Sequence, residues 1–249
     1  MKYTTHATPA NMVMLSNPSD RGVLIAFEGL DGSGKTTQRK LFKSWLRNIG
    51  GDVVVTKWNS SPSFKSIIKS RKAARSLDPM SYAALHAADF WHRHEMLIEP
   101  SLREAKVVLA DRYVFTGLAR DAARGVDRDW GRSLYSGARK PNLVFYFDAP
   151  ANTCAARIAS SREISFYESG QDVTALGDPF KSFLRFGESV RSEYGKLNNH
   201  FGFVNVNASL PIYEQHHFLR DTYVQLFGLP AEESPCPSQL SAFLSEVDV

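Results

Sequence analysis

The octapeptide Gly29-Leu30-Asp31-Gly32-Ser33-Gly34-Lys35-Thr36 satisfies the pattern G-x-x-x-x-G-K-[ST] at every fixed position. Its flanks supply the context that pattern needs. Ahead of it, Val23-Leu24-Ile25-Ala26-Phe27 is an unbroken apolar run, as expected of a strand buried on both faces. Behind it, Leu41, Phe42, Trp45 and Leu46 recur at spacings that place them on one side of a helix. The glycines let backbone N–H groups come close to phosphate oxygens, and the helix N-terminus adds about half a positive charge at the same point. Lys35 can reach the β and γ phosphates, and the Thr36 hydroxyl can ligate Mg²⁺. Residues 29–37, Thr37 included, are the expected site for a nucleoside triphosphate.

A chain of 249 residues suits one α/β domain with short tails. We expect an N-terminal arm over 1–21, a nucleotide-binding domain over 22–228 and a C-terminal tail over 229–249. The tail carries a short apolar patch at Leu240, Phe243 and Leu244. A net charge of +4, from 30 basic and 26 acidic residues, is too mild to argue for nucleic acid but suits phosphate-bearing ligands. Cys154 and Cys236 offer no disulfide framework, as in a reducing cytoplasm. No stretch approaches the length of a membrane span, so a cytoplasmic protein without a membrane partner is expected.

Further strands are expected at 52–56, 107–110, 143–147 and 203–207. Residues 57–63 form a loop at a strand's carboxyl end, where open parallel sheets place their ligands. Lys65, Lys69, Arg71, Lys72 and Arg75 lie on a basic helical stretch, read as a solvated face or as a phosphate-binding one. Asp78-Pro79 opens a helix that runs past His94 and kinks near Pro100. On it, Asp89 and Arg93 are four apart, as an ion pair or as ligand-facing groups. The third strand ends in Asp111, a carboxylate placed to help Thr36 hold Mg²⁺, and Arg112 follows with a forked donor suited to phosphate oxygens. Residues 116–124 read as a helix, with Gly125 and 127–130 breaking the spacing of Arg120, Arg124, Arg128 and Arg132. Only Arg120 of that series lies close to the expected site. A helix from about 152 leads into a weakly periodic segment, and 157–178 is expected to be a mobile lid. Its closure would exclude water and bring arginine to the phosphates. Helices from Asp178-Pro179 and from Pro211 complete the chain.

Several of these segments, in this order, resemble the thymidylate kinase family of nucleoside monophosphate kinases over about residues 23–227. They are Phe27 to Gln38, Ala110-Asp111-Arg112-Tyr113 with Thr116 beyond, Leu85 to Asp89, and Pro141 to Pro150. The resemblance implies a P-loop NTPase fold: a three-layer α/β/α sandwich with a five-stranded parallel sheet. It further implies ATP with Mg²⁺ as donor, a nucleoside monophosphate (by default dTMP) as acceptor, and a homodimer. By the same analogy Asp31 sits near the acceptor's sugar and phosphate, Arg112 bridges toward the phosphates, and Arg157 and Arg162 are lid arginines that join Lys35 and Arg112 in catalysis. The departures are on the acceptor side. An Arg-Glu-Pro-Gly turn is replaced by Lys57-Trp58-Asn59-Ser60. His86 stands for a stacking aromatic, Phe90 for a phosphate-binding arginine, and Arg120-Asp121 for an aromatic-Gln pair. Arg93, one turn beyond Phe90, is placed to substitute, and Phe90→Arg would strengthen monophosphate binding if the family geometry holds. The expected acceptor-side residues are thus Asp31, His86, Phe90, Arg93, Asp111, Arg112, Thr116 and Arg120. Three alternatives stay open: a deoxynucleoside kinase in which Asp111 or Glu28 accepts a hydroxyl proton, a kinase for another monophosphate, and an ATP-binding regulator without turnover.

Overall fold

The computed structural model describes residues 22–227. The expectations for the N-terminal arm and the C-terminal tail fall outside these residues. In chain order the first half comprises β1 (Val23–Gly29), α1 (Lys35–Asn48), β2 (Val53–Lys57), α2 (Lys65–Ala73), α3 (Pro79–Arg93), α4 (Glu99–Arg103) and β3 (Val107–Asp111). There follow α5 (Val114–Ala123), α6 (Arg128–Leu134), β4 (Leu143–Asp148), α7 (Ala151–Ala159), α8 (Phe166–Ser169), α9 (Gln171–Thr174), α10 (Pro179–Phe201), β5 (Val204–Asn207) and α11 (Ile212–Phe227).

The five strands form one sheet in the order β2-β3-β1-β4-β5, with every neighbouring pair parallel. This is the expected α/β sheet. Leu24, Ile25, Ala26 and Phe27 of β1 are fully buried, since helices cover both faces of a parallel sheet. The Phe27 ring meets Phe42 of α1 and Phe145 and Phe147 of β4, so the central strand is held by an aromatic cluster on the sheet face that α1 covers. Register then aligns the functional ends. Phe27 pairs with Asp111, and Lys57 pairs with Asp111 from the other side. The loops after β1, β2 and β3 therefore open onto one crevice at the carboxyl edge.

Local chemistry accounts for most boundaries. Asp78 accepts from the Ser81 N–H at 2.9 Å with Pro79 in the first turn of α3, and Asp178 does the same for Lys181 ahead of α10. The kink expected near Pro100 is a π-helical turn over His94–Ile98, just ahead of that residue. Pro100 has no N–H to continue the ladder, and a widened turn absorbs the break. Helix α6 was not legible. Residues 127–130 read as an interruption, whereas Asp127 caps a helix by accepting from the Trp130 N–H at 2.8 Å.

Candidate active site

Helix α1 starts without a side-chain cap. Gly34 supplies the turn with φ of 94°, in the left-handed region, so the first N–H groups of α1 are left facing the crevice. Gly32 is constrained by space as well, because a Cβ there would lie 2.5 Å from the Cys154 carbonyl oxygen of α7. Lys35 Nζ donates to the Leu30 carbonyl at 2.9 Å and lies 3.8 Å from the Asp31 carboxylate. Burial, with help from the Arg112 charge, lowers its pKa to about 8, although Asp31, Asp111 and Glu28 pull the other way. Ser33 is buried, Thr36 is exposed and Thr37 half-buried at the same helix start.

Asp31 is where the two halves of the site meet. Arg112 donates to one of its oxygens at 2.5 Å and Arg120 to the other at 3.0 Å. Burial alone would raise the Asp31 pKa, but Arg112, Lys35 and Arg120 outweigh it and hold the carboxyl well below the ordinary range. Arg112 adopts φ of 74°, unusual for a side chain of its size. The strain persists because the residue is over-determined. Its N–H bonds the Phe27 carbonyl at 3.1 Å, and its guanidinium also reaches Gly29 O at 3.0 Å and Thr116 Oγ1 at 3.2 Å.

The oxygens expected to hold a metal are adjacent. Thr36 Oγ1 donates to Asp111 Oδ2 at 3.1 Å, and Arg39 Nε donates to the same oxygen at 3.2 Å. A hydroxyl and a carboxylate at the phosphate loop form a hard-oxygen pair of the kind that suits Mg²⁺, which takes few protein ligands and completes its shell with phosphate and water. Arg39, four residues past Lys35 on the inner face of α1, was missed. Its spacing was the only signal.

Beside Asp31 lies a cavity of about 240 Å³. The phosphate loop and α5 side contribute Asp31, Arg112, Thr116 and Arg120; the loop after β2 gives Trp58 and Asn59, α2 gives Lys72 and α3 gives Tyr82. Ser165 and Glu168 close it from the α8 segment. Glu28 underlies it. Its carboxylate accepts from Tyr113 N (2.8 Å), Thr116 Oγ1 (2.6 Å) and Tyr194 Oη (2.7 Å). Burial raises its pKa despite these bonds.

Four of the expected acceptor-side residues are not among those that line the cavity: Asp111 is engaged by Thr36 and Arg39, and Phe90, His86 and Arg93 lie apart from it. Phe90 is fully buried among Trp91, His94, Tyr113 and Tyr135, in the core and not at the cavity. His86 is also buried, behind the wall. Its ring lies 3.9 Å from Tyr82 and 6.1 Å from Trp58, nearly parallel to the latter, so the half-buried Trp58, and not His86, supplies the cavity's aromatic face. Burial keeps the His86 pKa well below its ordinary value, and its Nδ1 lies 2.6 Å from the Tyr82 carbonyl oxygen, an acceptor to which it donates. Arg93 donates to Asp89 at 2.8 Å and to Thr56 Oγ1 at 2.9 Å, beneath the Trp58 ring. Asp89 in turn accepts from Asn59 N and Ser61 N. The Asp89–Arg93 pair is thus a clamp on the loop carrying Trp58 and Asn59, and a positioning device where a ligand contact was an open reading.

Arg157 and Arg162 are both exposed. Arg157 lies in α7 and reaches Gly32 O at 3.3 Å and Ala208 O at 3.1 Å, next to the phosphate loop. Arg162 is held by two bonds to Glu168, at 2.8 and 2.6 Å. The segment expected as a lid is folded into α8 and α9 and strapped to the body. Arg120 and Arg124 both donate to the Tyr167 carbonyl, Arg124 bonds Asp172 at 2.7 Å, and Leu77 N donates to Tyr167 Oη at 2.9 Å. Arg124 and Tyr167 were not singled out from the sequence. Their roles depend on contacts more than forty residues apart.

Asp121, at the position of the altered pair, is buried, and neither carboxylate oxygen has a hydrogen-bond partner among the described residues. Burial pushes its pKa up to about 7, against the pull of Arg124 and Arg120. The unfolded value is about 4, so between those limits the native state holds more protons than the unfolded chain, and stability falls as pH rises from about 4 to about 7. Asp121→Asn has no such proton to lose. Relative to wild type, the variant is expected to gain on the order of 2–3 kcal/mol of stability between pH 5 and pH 8.5. Thermal melting at the two pH values checks this; parallel pH dependences in both proteins would contradict it.

Comparison with known proteins agrees with the order of these motifs. The sequence profile of the thymidylate kinase family matches residues 27–217. The chain is 39% identical over 194 residues to a probable thymidylate kinase 2 of Saccharolobus solfataricus, covering 77% of this chain and 91% of that protein. It is 32% identical to a probable thymidylate kinase of Pyrococcus abyssi, covering 79% and 93%, and 36% identical to one of Thermococcus kodakarensis, covering 72% and 85%.

Proposed function

The chain belongs to the thymidylate kinase family, and from that premise we propose that it transfers the γ-phosphoryl group of ATP to dTMP, giving dTDP and ADP. The observation that carries the reading is the convergence of Lys35, Arg112 and Arg120 on Asp31, between the phosphate loop and the acceptor-sized cavity. A phosphate oxygen of the monophosphate attacks the γ phosphorus, and the bond from that phosphorus to the β–γ bridging oxygen breaks. No covalent enzyme intermediate is needed, so the protein's work is positioning and charge neutralisation. The loop N–H groups and Lys35 hold the β and γ phosphates. Arg112, fixed by Asp31 and Gly29, lies where donor and acceptor phosphates meet. Thr36 and Asp111 would hold Mg²⁺, which when bound spreads the negative charge of the transferring group. Arg157 stands next to the phosphate loop, and Arg162 joins it once released from Glu168.

The deoxynucleoside-kinase alternative needs a carboxylate free to take a hydroxyl proton. Glu28 is occupied by three strong donors and Asp111 by Thr36 and Arg39, which favours a monophosphate acceptor. Two further readings accompany this function. The active species is a homodimer, which light scattering of the purified protein tests. It acts in the cytoplasm, and among the described residues no helix is long and apolar enough to cross a membrane. Incubation with ATP and a panel of nucleosides and nucleoside monophosphates, with products resolved by chromatography, tests the reaction. Formation of dTDP is expected. Transfer to nucleosides alone, or ATP binding without any product, would overturn it.

A further inference from the structure

The loss of an arginine at position 90 leaves a question of charge in the acceptor cavity, and Arg93 does not answer it, since its guanidinium is engaged behind Trp58. The other cations are also committed. Arg112 and Arg120 share Asp31, and the cavity's Glu168 is held by Arg162. Lys72 of α2 is different. It lines the cavity, is half-buried, and has no carboxylate partner among the described residues. Its ammonium stands 5.2 Å from the centre of the Tyr82 ring and 5.9 Å from that of Tyr167, with a long bond of 3.4 Å to Tyr82 Oη. The rings hold the stem while the charge keeps donors to spare.

Its place along the cavity is set by its neighbours. The transfer end is marked by Asp31 with Lys35 and Arg112. Lys72 sits instead with the buried rings of Tyr82 and Tyr167, in the cavity whose half-buried Trp58 offers a ring on which a base can stack. In keeping with this, the charge felt by Tyr82 and His86 includes that of Lys72, whereas Asp31 responds to Arg112, Lys35 and Arg120.

Resting on the reaction proposed above, we propose that Lys72 is a specificity-determining residue: it donates to a keto oxygen on the edge of the acceptor base. An ammonium has three donors and no acceptor. A base carrying a carbonyl at that edge completes the bond. One carrying an amino group there sets donor against donor, which a partly desolvated site penalises heavily. The cavity therefore selects thymine or uracil over cytosine by a contact from α2.

The test compares wild type, Lys72→Met and Lys72→Arg, each with ATP and saturation series of dTMP, dUMP and dCMP. Methionine keeps the stem beside the tyrosine rings and removes the donor. Lys72→Met is expected to lower kcat/KM for dTMP and dUMP by roughly 10- to 100-fold and to change that for dCMP by less than about 3-fold. Lys72→Arg is expected to recover most of the preference. An equal loss for all three acceptors would make Lys72 a general attractor of phosphate or a prop for the α8 segment, and would overturn the proposal, as would no change at all. In either case wild-type turnover of dTMP leaves the reaction itself standing. If wild type phosphorylates no monophosphate, the reaction has failed, and the proposal with it.

Discussion

Lys35→Ala lowers kcat by about 10³-fold or more, equivalent to roughly 4 kcal/mol of transition-state stabilisation, while the protein melts within a few degrees of wild type. The rate effect follows from what the ammonium can reach. It sits at the start of α1 with its charge beside Asp31, at the point where the phosphate loop presents its N–H groups. As charge migrates to the leaving oxygen during transfer, a fixed cation in a dry site stabilises it far more than water does. The small effect on stability follows from the same surroundings. Burial and the Arg112 charge already depress the Lys35 pKa, so the free protein gains little from carrying the ammonium there. Asp31 keeps both arginines when the lysine is gone. Steady-state kinetics with dTMP and a melting curve decide the matter. An unaltered kcat would remove Lys35 from the chemistry, and a collapse in melting temperature would make the rate loss uninterpretable as catalysis.

Phe90→Arg destabilises the fold by about 5 kcal/mol or more and creates no new phosphate contact. The ring is fully buried and touches the rings of Trp91, His94, Tyr113 and Tyr135. A guanidinium there loses the aromatic packing and leaves a charge without a carboxylate partner. It also adds a like charge beside Arg93, whose guanidinium stands 5.9 Å from the Phe90 ring centre. The outcome runs opposite to the one expected from the family pattern, in which an arginine at this place grips the acceptor phosphate. Denaturant unfolding and dTMP titration of whatever folded protein is recovered test it. A variant with wild-type stability and tighter dTMP binding would mean that the side chain at 90 reaches the cavity after all.

The contrast between Phe90 and Lys72 shows where sequence reading stops. Helical spacing puts His86, Asp89, Phe90 and Arg93 on neighbouring faces of α3, but spacing does not say which face meets the cavity and which the core. The packing of Tyr113 and Tyr135 settles Phe90, and Trp58 screens His86 and Arg93. Asp89 and Arg93 form the i,i+4 pair the sequence suggested, yet the pair's work is to hold the Asn59 and Ser61 amides thirty residues away. The basic stretch in α2 read as a solvated face, and four of its five cations are exposed. The fifth, Lys72, turns inward because Tyr82 and Tyr167 give its stem an apolar seat.

What the sequence determined by itself is the donor half: strand, glycine loop and helix, the Asp111-Arg112 step, the strands, and the capped starts of α3 and α10. Each depends on residues within a few positions of one another, where backbone geometry and side-chain period leave little choice. The cavity beside Asp31 was legible only in part: Asp31, Arg112, Thr116 and Arg120 were among the expected residues, whereas tertiary structure alone brought Trp58, Lys72, Tyr82 and Glu168 to them from separate elements. Their meeting depends on how those elements pack, and packing is a property of volumes and buried charge across the whole domain, which no local pattern encodes.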